Sequence, residues 1–288
     1  MLVNSVRKLF PPAGICINFF LPSQKTNVAI NIKSPGIPKA TFGPYFNNSN
    51  GDKLSGVLSY DNLGDDSGDS IVVMAHGFGT GKNGRTYTSL EDKFIKSGLA
   101  TFRFDFYAHG ESDGSIEDIT VSEAVDDVFR AVDFVEDKGY SKIGLIGSSF
   151  GGLASIIAAP NIDLFALGLK CPISKRLDLL LKDIYEFKEQ DSSITFNISG
   201  QPLTLSNSFV EDCKKNIGFD YAEKINAPTL IVHGSDDECV SINDTKKLYD
   251  SIADCELDEI IGCDHSFSNS ENFNYAINSI FNFVIDKT

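Results

Sequence analysis

Positive charge is scarce in this chain: 25 Lys and Arg stand against 40 Asp and Glu, a formal charge of -15. No Lys/Arg block or basic aromatic stripe compensates, so the surface repels phosphate backbones and anionic lipid, and nucleic acid is not an expected partner. The six cysteines, Cys16, Cys171, Cys213, Cys239, Cys255 and Cys263, include no CxxC pair and no secreted-domain framework, which points to free thiols in a reducing compartment. No apolar stretch approaches the roughly 20 residues that span a bilayer, so stable membrane insertion is not expected. Pro11, Pro12, Gly14 and Asn18 interrupt the apolar residues of the first segment and make it a poor signal sequence. A soluble cytoplasmic protein is the expectation. Repeats and long low-complexity stretches are also missing. What remains is 288 residues with 42% hydrophobic content, enough for one domain with an elaboration.

Residues 1–38, rich in Pro and Asn, read as an N-terminal extension of unknown role, with "VAINIK" as an edge-strand candidate. From 39 to 288 the pattern changes. "GDKLSGVLSYDN" reads as a turn and strand, and "NLGDDSGDS" as a surface loop. "SIVVMAHG" is β-branched and almost wholly apolar, as a strand covered on both faces must be. Thereafter strand-like runs ("LATFRFDF", "SKIGLIG", "LFALGLK", "PTLIVHG", "CELDEII") alternate with helical ones ("GRTYTSLEDKFIKSG", "ITVSEAVDDVFRAVDFVEDKG", "FGGLASIIAA", "NFNYAINSIFNFVIDK"). This succession predicts an α/β fold with a mostly parallel sheet and helices on both faces. Residues 172–218 interrupt it with a helix candidate, "KRLDLLLKDIYEFKEQ", and a hairpin candidate, "SSITFNISGQPLTLS", and are expected to pack as a small cap over the carboxyl ends of the strands.

Ser149 falls at such an end, in Gly147-Ser148-Ser149-Phe150-Gly151. This is the G-x-S-x-G pattern, in which small flanking residues let a sharp strand-to-helix turn lift a serine hydroxyl clear of the sheet. A nucleophilic serine needs a base, and the base needs a carboxylate to fix its tautomer. Only four histidines exist: His76, His109, His233 and His265. His265, in the loop after the final strand, is the best-placed base. The preceding strand ends in "TLIVHGSDDECV", which offers Asp236 and Asp237; spacing does not choose between them. The order serine, aspartate, histidine is that of one hydrolase fold class.

Two N–H groups must hold the oxyanion. Phe150 supplies one, and the loop "HGFGTGKNG" supplies the other, most simply through Phe78. As a phosphate loop that segment fails: it lacks the required spacing before G-K-[ST], and Asn83 stands where a Mg²⁺-binding hydroxyl belongs. There is no HExxH, and the acidic loops offer no defensible ligand set, so neither a metal nor another cofactor is expected.

Taken together, "NSNGDKLSGVLSY", "VVMAHGFGTGKNG", "FRFDFYAHGESDG", "IGLIGSSFGG", "PTLIVHGSDDECV" and "DHSF" resemble the α/β-hydrolase superfamily from about residue 40 onward, in the serine hydrolase branch of feruloyl and cinnamoyl esterases, monoacylglycerol lipases and related peptidases. The resemblance implies Asp237 as the triad acid, through H-G-x-x-D-x-x-V matched by His233, Gly234, Asp237 and Val240. It also implies the oxyanion roles of Phe78 and Phe150, and a structural role for His109 and Asp113. Ser148 departs from the pattern, since many relatives carry histidine there.

The resulting expectation is a serine hydrolase cleaving a small carboxylic ester through an acyl-enzyme. Twenty-two phenylalanines and no tryptophan, with Tyr185, Phe187, Phe196 and Phe209 in the cap, suggest shelter for an apolar or aromatic acyl group. A peptidase or amidase, an acyltransferase and a non-catalytic binding protein are the alternatives. Association into a homo-oligomer is left open.

Overall fold

The computed structural model describes residues 39–61, 68–190, 193–198 and 201–288. The N-terminal extension with "VAINIK", and most of the loop "NLGDDSGDS", lie outside these. The chain opens with strands β1 (Lys39–Phe42), β2 (Tyr45–Asn47), β3 (Lys53–Asp61) and β4 (Ser70–Ala75). Helix α1 (Arg85–Lys96), β5 (Ala100–Phe104), α2 (Val121–Glu136), β6 (Lys142–Ser148), α3 (Phe150–Ala158) and β7 (Leu164–Lys170) follow. Next come α4 (Leu177–Ile184), β8 (Glu186–Gln190), β9 (Ser193–Ile198), β10 (Gln201–Ser206), α5 (Asn207–Cys213) and α6 (Phe219–Ala222). The last elements are β11 (Thr229–Gly234), α7 (Ile242–Ser251), β12 (Cys255–Ile260) and α8 (Ser270–Lys287).

The main sheet runs β1-β3-β5-β4-β6-β7-β11-β12, with β2 paired to β3. From β5 to β12 every pairing is parallel, while β3 joins β5 and β1 antiparallel. From β4 the chain crosses to β5 on one side and then returns to β6 on the other, so the order reverses between β4 and β6. In such sheets the crevice at the carboxyl ends beside the reversal is where ligands sit.

Alternation along β4 explains why that strand reads as continuously apolar. Ile71, Val73 and Ala75 join one buried core with Val121, Val125 and Val128 of α2 and with Leu153 and Ile157 of α3. Val72 and Met74 join a second core with Tyr87, Leu90 and Phe94 of α1 and with Ile277, Ile280 and Val284 of α8. Each face thus has its own helical cover, and burial of the Val, Leu, Ile, Phe and Met side chains among these is worth about 1.5–3 kcal/mol apiece.

Within 172–218 the structure corrects one expectation. The helix stops at Ile184; Tyr185 is extended (φ -120°, ψ 147°) and "EFKEQ" continues as β8, paired antiparallel with β9, which pairs in turn with β10. Every residue of β8 is exposed, so its backbone ladder, not burial, makes it a strand. Phe196 and Phe209 are fully buried in the first core and are not free to line a pocket; Phe187 is 43% exposed.

Candidate active site

At the end of β6 the backbone turns sharply. Ser149 has φ 51° and ψ -111°, a left-handed conformation that a non-glycine residue adopts at a cost of roughly 1–3 kcal/mol. Its N–H donates to Lys170 O (3.0 Å), and its carbonyl accepts from Leu153 N (3.0 Å) and Ile173 N (3.1 Å). The flanking glycines are steric necessities: a side chain at Gly147 would strike Gly151 O and Ser155 Oγ, and one at Gly151 would strike the carbonyls of Ala75 and His76. The turn therefore presses against the end of β4, and α3 starts immediately after the serine.

His265 reaches this turn from the loop after β12. Its Nε2 lies 3.2 Å from Ser149 Oγ, and its Nδ1 lies 2.7 Å from Asp237 Oδ2. Asp237, whose side chain is fully buried, also accepts through Oδ1 from Cys239 N (2.8 Å) and Val240 N (2.7 Å). Asp236 is exposed and accepts instead from Ser235 Oγ (2.8 Å). The geometry thus separates the two aspartates that spacing left equal.

His233 contributes too, although the sequence motif assigned it no role of its own. Its Nε2 lies 2.9 Å from Val240 O and 3.2 Å from Asp237 Oδ2, and its Nδ1 lies 2.9 Å from Thr245 Oγ1. Assigning the proton to Nε2 lets that nitrogen donate to both oxygens while Nδ1 accepts the threonine hydroxyl. Burial by itself would raise the Asp237 pKa; hydrogen bonds from His233 and His265, the charge of His265 and the Val240 N–H outweigh it and hold the carboxyl far below its ordinary range.

The loop after β4 lies alongside. A Cβ placed on Gly77 would sit 3.5 Å from Ser149 Cβ, which fixes how near this loop comes to the serine. Gly79 N–H donates to His109 Nε2 (3.0 Å) and Thr80 N–H to Gly77 O (3.2 Å). The intervening Phe78 N–H has no acceptor among the described residues, and neither does that of Phe150, the first residue of α3. The two phenyl rings meet edge to face with centroids 5.6 Å apart. His76 accepts from Phe106 N at Nε2 (3.1 Å) and bonds Gly77 O at Nδ1 (2.8 Å); burial, aided by His109, lowers its pKa to about 3. Asp113 exchanges bonds with the Lys53 backbone, tying the His109 loop to β3.

Two groups of described side chains could hold a metal: Cys171 with Asp237 and His265, and Glu123 with Asp126 and Asp127. In the first, burial pushes the Cys171 thiol well above its ordinary range, and the other two residues already bond each other. In the second, Asn48 and Asn50 amides occupy Glu123, and Ser49 occupies Asp126.

A doubly wound sheet of this strand order, with a serine on a strained elbow at the reversal point, defines the α/β-hydrolase fold. Residues 119–288, more than half the chain, match the prolyl oligopeptidase family, and 66–169 match the serine aminopeptidase S33 family. The chain belongs to the prolyl oligopeptidase family of α/β-hydrolases. It is 26% identical over 200 residues to a mitochondrial palmitoyl-protein thioesterase, ABHD10, of Pongo abelii, covering 66% of this chain and 64% of that one. An acyl transferase of Shewanella hanedai is 23% identical over 209 residues, covering 68% and 67%. The chain thus spans about two thirds of the length of these relatives. Among solved structures, Est1E of Butyrivibrio proteoclasticus with ferulic acid bound aligns with a TM-score of 0.71 at 22% identity, covering 85% of this chain and 98% of that one. No helix among the described residues is long and apolar enough to cross a membrane.

Proposed function

We propose that the protein hydrolyses carboxylic esters through an acyl-enzyme formed on Ser149. The observation that carries this reading is the continuous line of contacts from Ser149 Oγ through His265 to the buried Asp237. His265 Nε2 takes the hydroxyl proton, Ser149 Oγ attacks the ester carbonyl, and the N–H groups of Phe78 and Phe150 hold the oxyanion. His265 then protonates the leaving alcohol, Asp237 stabilises its cation, and water releases the acid by the reverse route. No cofactor enters these steps.

The fold likeness to Est1E carrying ferulic acid supports a small ester with an aromatic or apolar acyl group. Tyr185, half-buried in the cap near Cys239 and Glu238 of the acid loop, is the cap residue this reading assigns to meet it; burial, with those two neighbours, pushes its phenol up to about 12. The domain reading is a hydrolase unit over 39–288 in which 172–218 form a cap, and the unpaired Cys171, Cys213, Cys239, Cys255 and Cys263 support a cytoplasmic location.

The test is hydrolysis of p-nitrophenyl esters from acetate to long-chain acyl, with an aryl-acrylate ester, by wild type and Ser149→Ala. Turnover confined to wild type supports the mechanism, and equal rates in both sink it. A second reading, thioester cleavage or acyl transfer, draws on the likeness to a thioesterase and an acyl transferase. It takes over if matched thioesters outpace oxygen esters, or if an added thiol captures the acyl group faster than water does.

A further inference from the structure

The loop that carries His265 is gripped by two cations from distant parts of the chain. Arg85, at the start of α1, donates through Nη2 to Ser266 O (3.0 Å) and to Phe267 O, and its guanidinium lies 4.0 Å from the Phe273 ring centroid. Lys170, at the end of β7, points its ammonium at His265 O (3.5 Å) and stands 3.9 Å over the Phe267 ring. Three successive carbonyls, of residues 265 to 267, therefore face positive charge. On the other side His265 N–H donates to Glu238 Oε2 (3.3 Å).

Two features show that this grip is not incidental. Phe267 is fully buried at φ 54°, a left-handed conformation that persists only where its surroundings over-determine it. Lys170 is only 7% exposed, and no carboxylate lies within ion-pair distance of it among the described residues. A buried ammonium without an ion-pair partner is costly, and an apolar side chain of its length would fill the same space more cheaply. What Lys170 does that such a side chain cannot is hold the His265 carbonyl and the face of Phe267. The His265–Ser149 contact, at 3.2 Å, has little tolerance for drift of this loop.

We infer that Lys170 and Arg85 are positioning residues that clamp residues 265 to 267 and so keep the imidazole between Asp237 and Ser149. This rests on the proposed role of His265 as the base.

The experiment uses the full chain with Lys170→Met, Arg85→Met, the double variant and the charge-keeping Arg85→Lys. The downfield proton resonance of His265 Nδ1–H, identified by its loss in His265→Gln, reports the contact with Asp237 without any turnover. The methionine variants are expected to broaden or lose that resonance and to lower kcat on the preferred ester on the order of tenfold to a hundredfold with KM unchanged. Arg85→Lys is expected to keep most of both. A sharp resonance in the double variant, a loss confined to KM, or Arg85→Lys as impaired as Arg85→Met overturns the inference, as does a wild type without the resonance. If Lys170→Met fails to fold by near-ultraviolet circular dichroism, Lys170→Gln replaces it. Should wild type show no Ser149-dependent turnover, the acyl-enzyme reading falls while the resonance still decides the clamp: its loss in the methionine variants upholds the clamp, and its persistence overturns it.

Discussion

His109 Nε2 accepts the Gly79 N–H at 3.0 Å, so a ring 30 positions away fixes the peptide that follows Phe78. An imidazolium has no lone pair to accept with; burial lowers the His109 pKa and keeps the ring neutral. His109→Ala is expected to lower kcat about tenfold with KM unchanged, less than the 10²–10³ typical of deleting an oxyanion donor outright, because the Phe78 N–H itself remains. His109→Gln, which restores an acceptor, should recover part of the loss. Steady-state kinetics on the preferred ester decide it, and an undiminished kcat in His109→Ala would remove the histidine from the oxyanion account.

The two adjacent aspartates provide the second prediction. Asp237→Asn is expected to reduce kcat by on the order of 10⁴, since an amide at that position stabilises the wrong histidine tautomer. Asp236→Asn, altering an exposed carboxylate bonded to Ser235, leaves kcat unchanged. A comparable loss from both variants would mean that the acid loop acts through its overall charge.

Stability should fall on mild acidification because of His76. Its folded pKa, about 3, lies below the ordinary 6.5, so as pH drops through 6.5 the unfolded chain gains a proton that the folded chain refuses until about pH 3. The unfolded state is favoured across that window by about 1.4 kcal/mol per pH unit for this one group. Asp237 acts in the same direction but only below roughly pH 4, where unfolded carboxylates begin to protonate. His109, also lowered by burial, acts in the same direction, and the raised carboxyls of Glu123 and Asp127 oppose it, so urea unfolding of wild type beside His76→Asn between pH 7 and pH 4.5 isolates His76; the same pH slope in both would contradict its burial in the neutral form.

For the cap, the contrast lies between Phe196 and Phe187. Phe196→Ala is expected to destabilise by about 3–5 kcal/mol, the range for a buried phenylalanine, with acyl preference unaltered. Phe187→Ala, at a 43% exposed position, should stay within about 0.5 kcal/mol. Denaturant midpoints separate the two, and a changed acyl preference in Phe196→Ala would return that ring to the substrate.

How legible these features are in the sequence follows from where each residue gets its stability. Fully buried β4 has no exposed face to interrupt its apolar run, so it reads plainly, and the elbow reads from the glycines its crowding demands. The strand β8 is illegible because "EFKEQ" suits a helix by propensity and buries nothing; only its ladder to β9 decides otherwise. The helix α7 buries little beyond Thr245 and Leu248 and leaves no apolar stripe to find. The tautomer of His233 depends on Val240 O and on Thr245 from α7, partners that no local pattern announces. Asp237 differs from Asp236 through the turn that carries Cys239 N–H and Val240 N–H to its carboxylate, a property of backbone path rather than of residue type.

The serine and its histidine are separated by 116 positions, and the histidine follows the last strand of the sheet. Contacts between such distant residues require most of the intervening chain to be ordered first, because loop closure must be met before the contact returns anything. If His265 is the base, as proposed, a nascent chain carries its elbow long before it carries that base, and its serine is expected to stay inert throughout synthesis. On the proposed mechanism, serine reactivity is in effect a clock for completed folding: a phosphonate that labels Ser149 would count only molecules in which β12 has already docked.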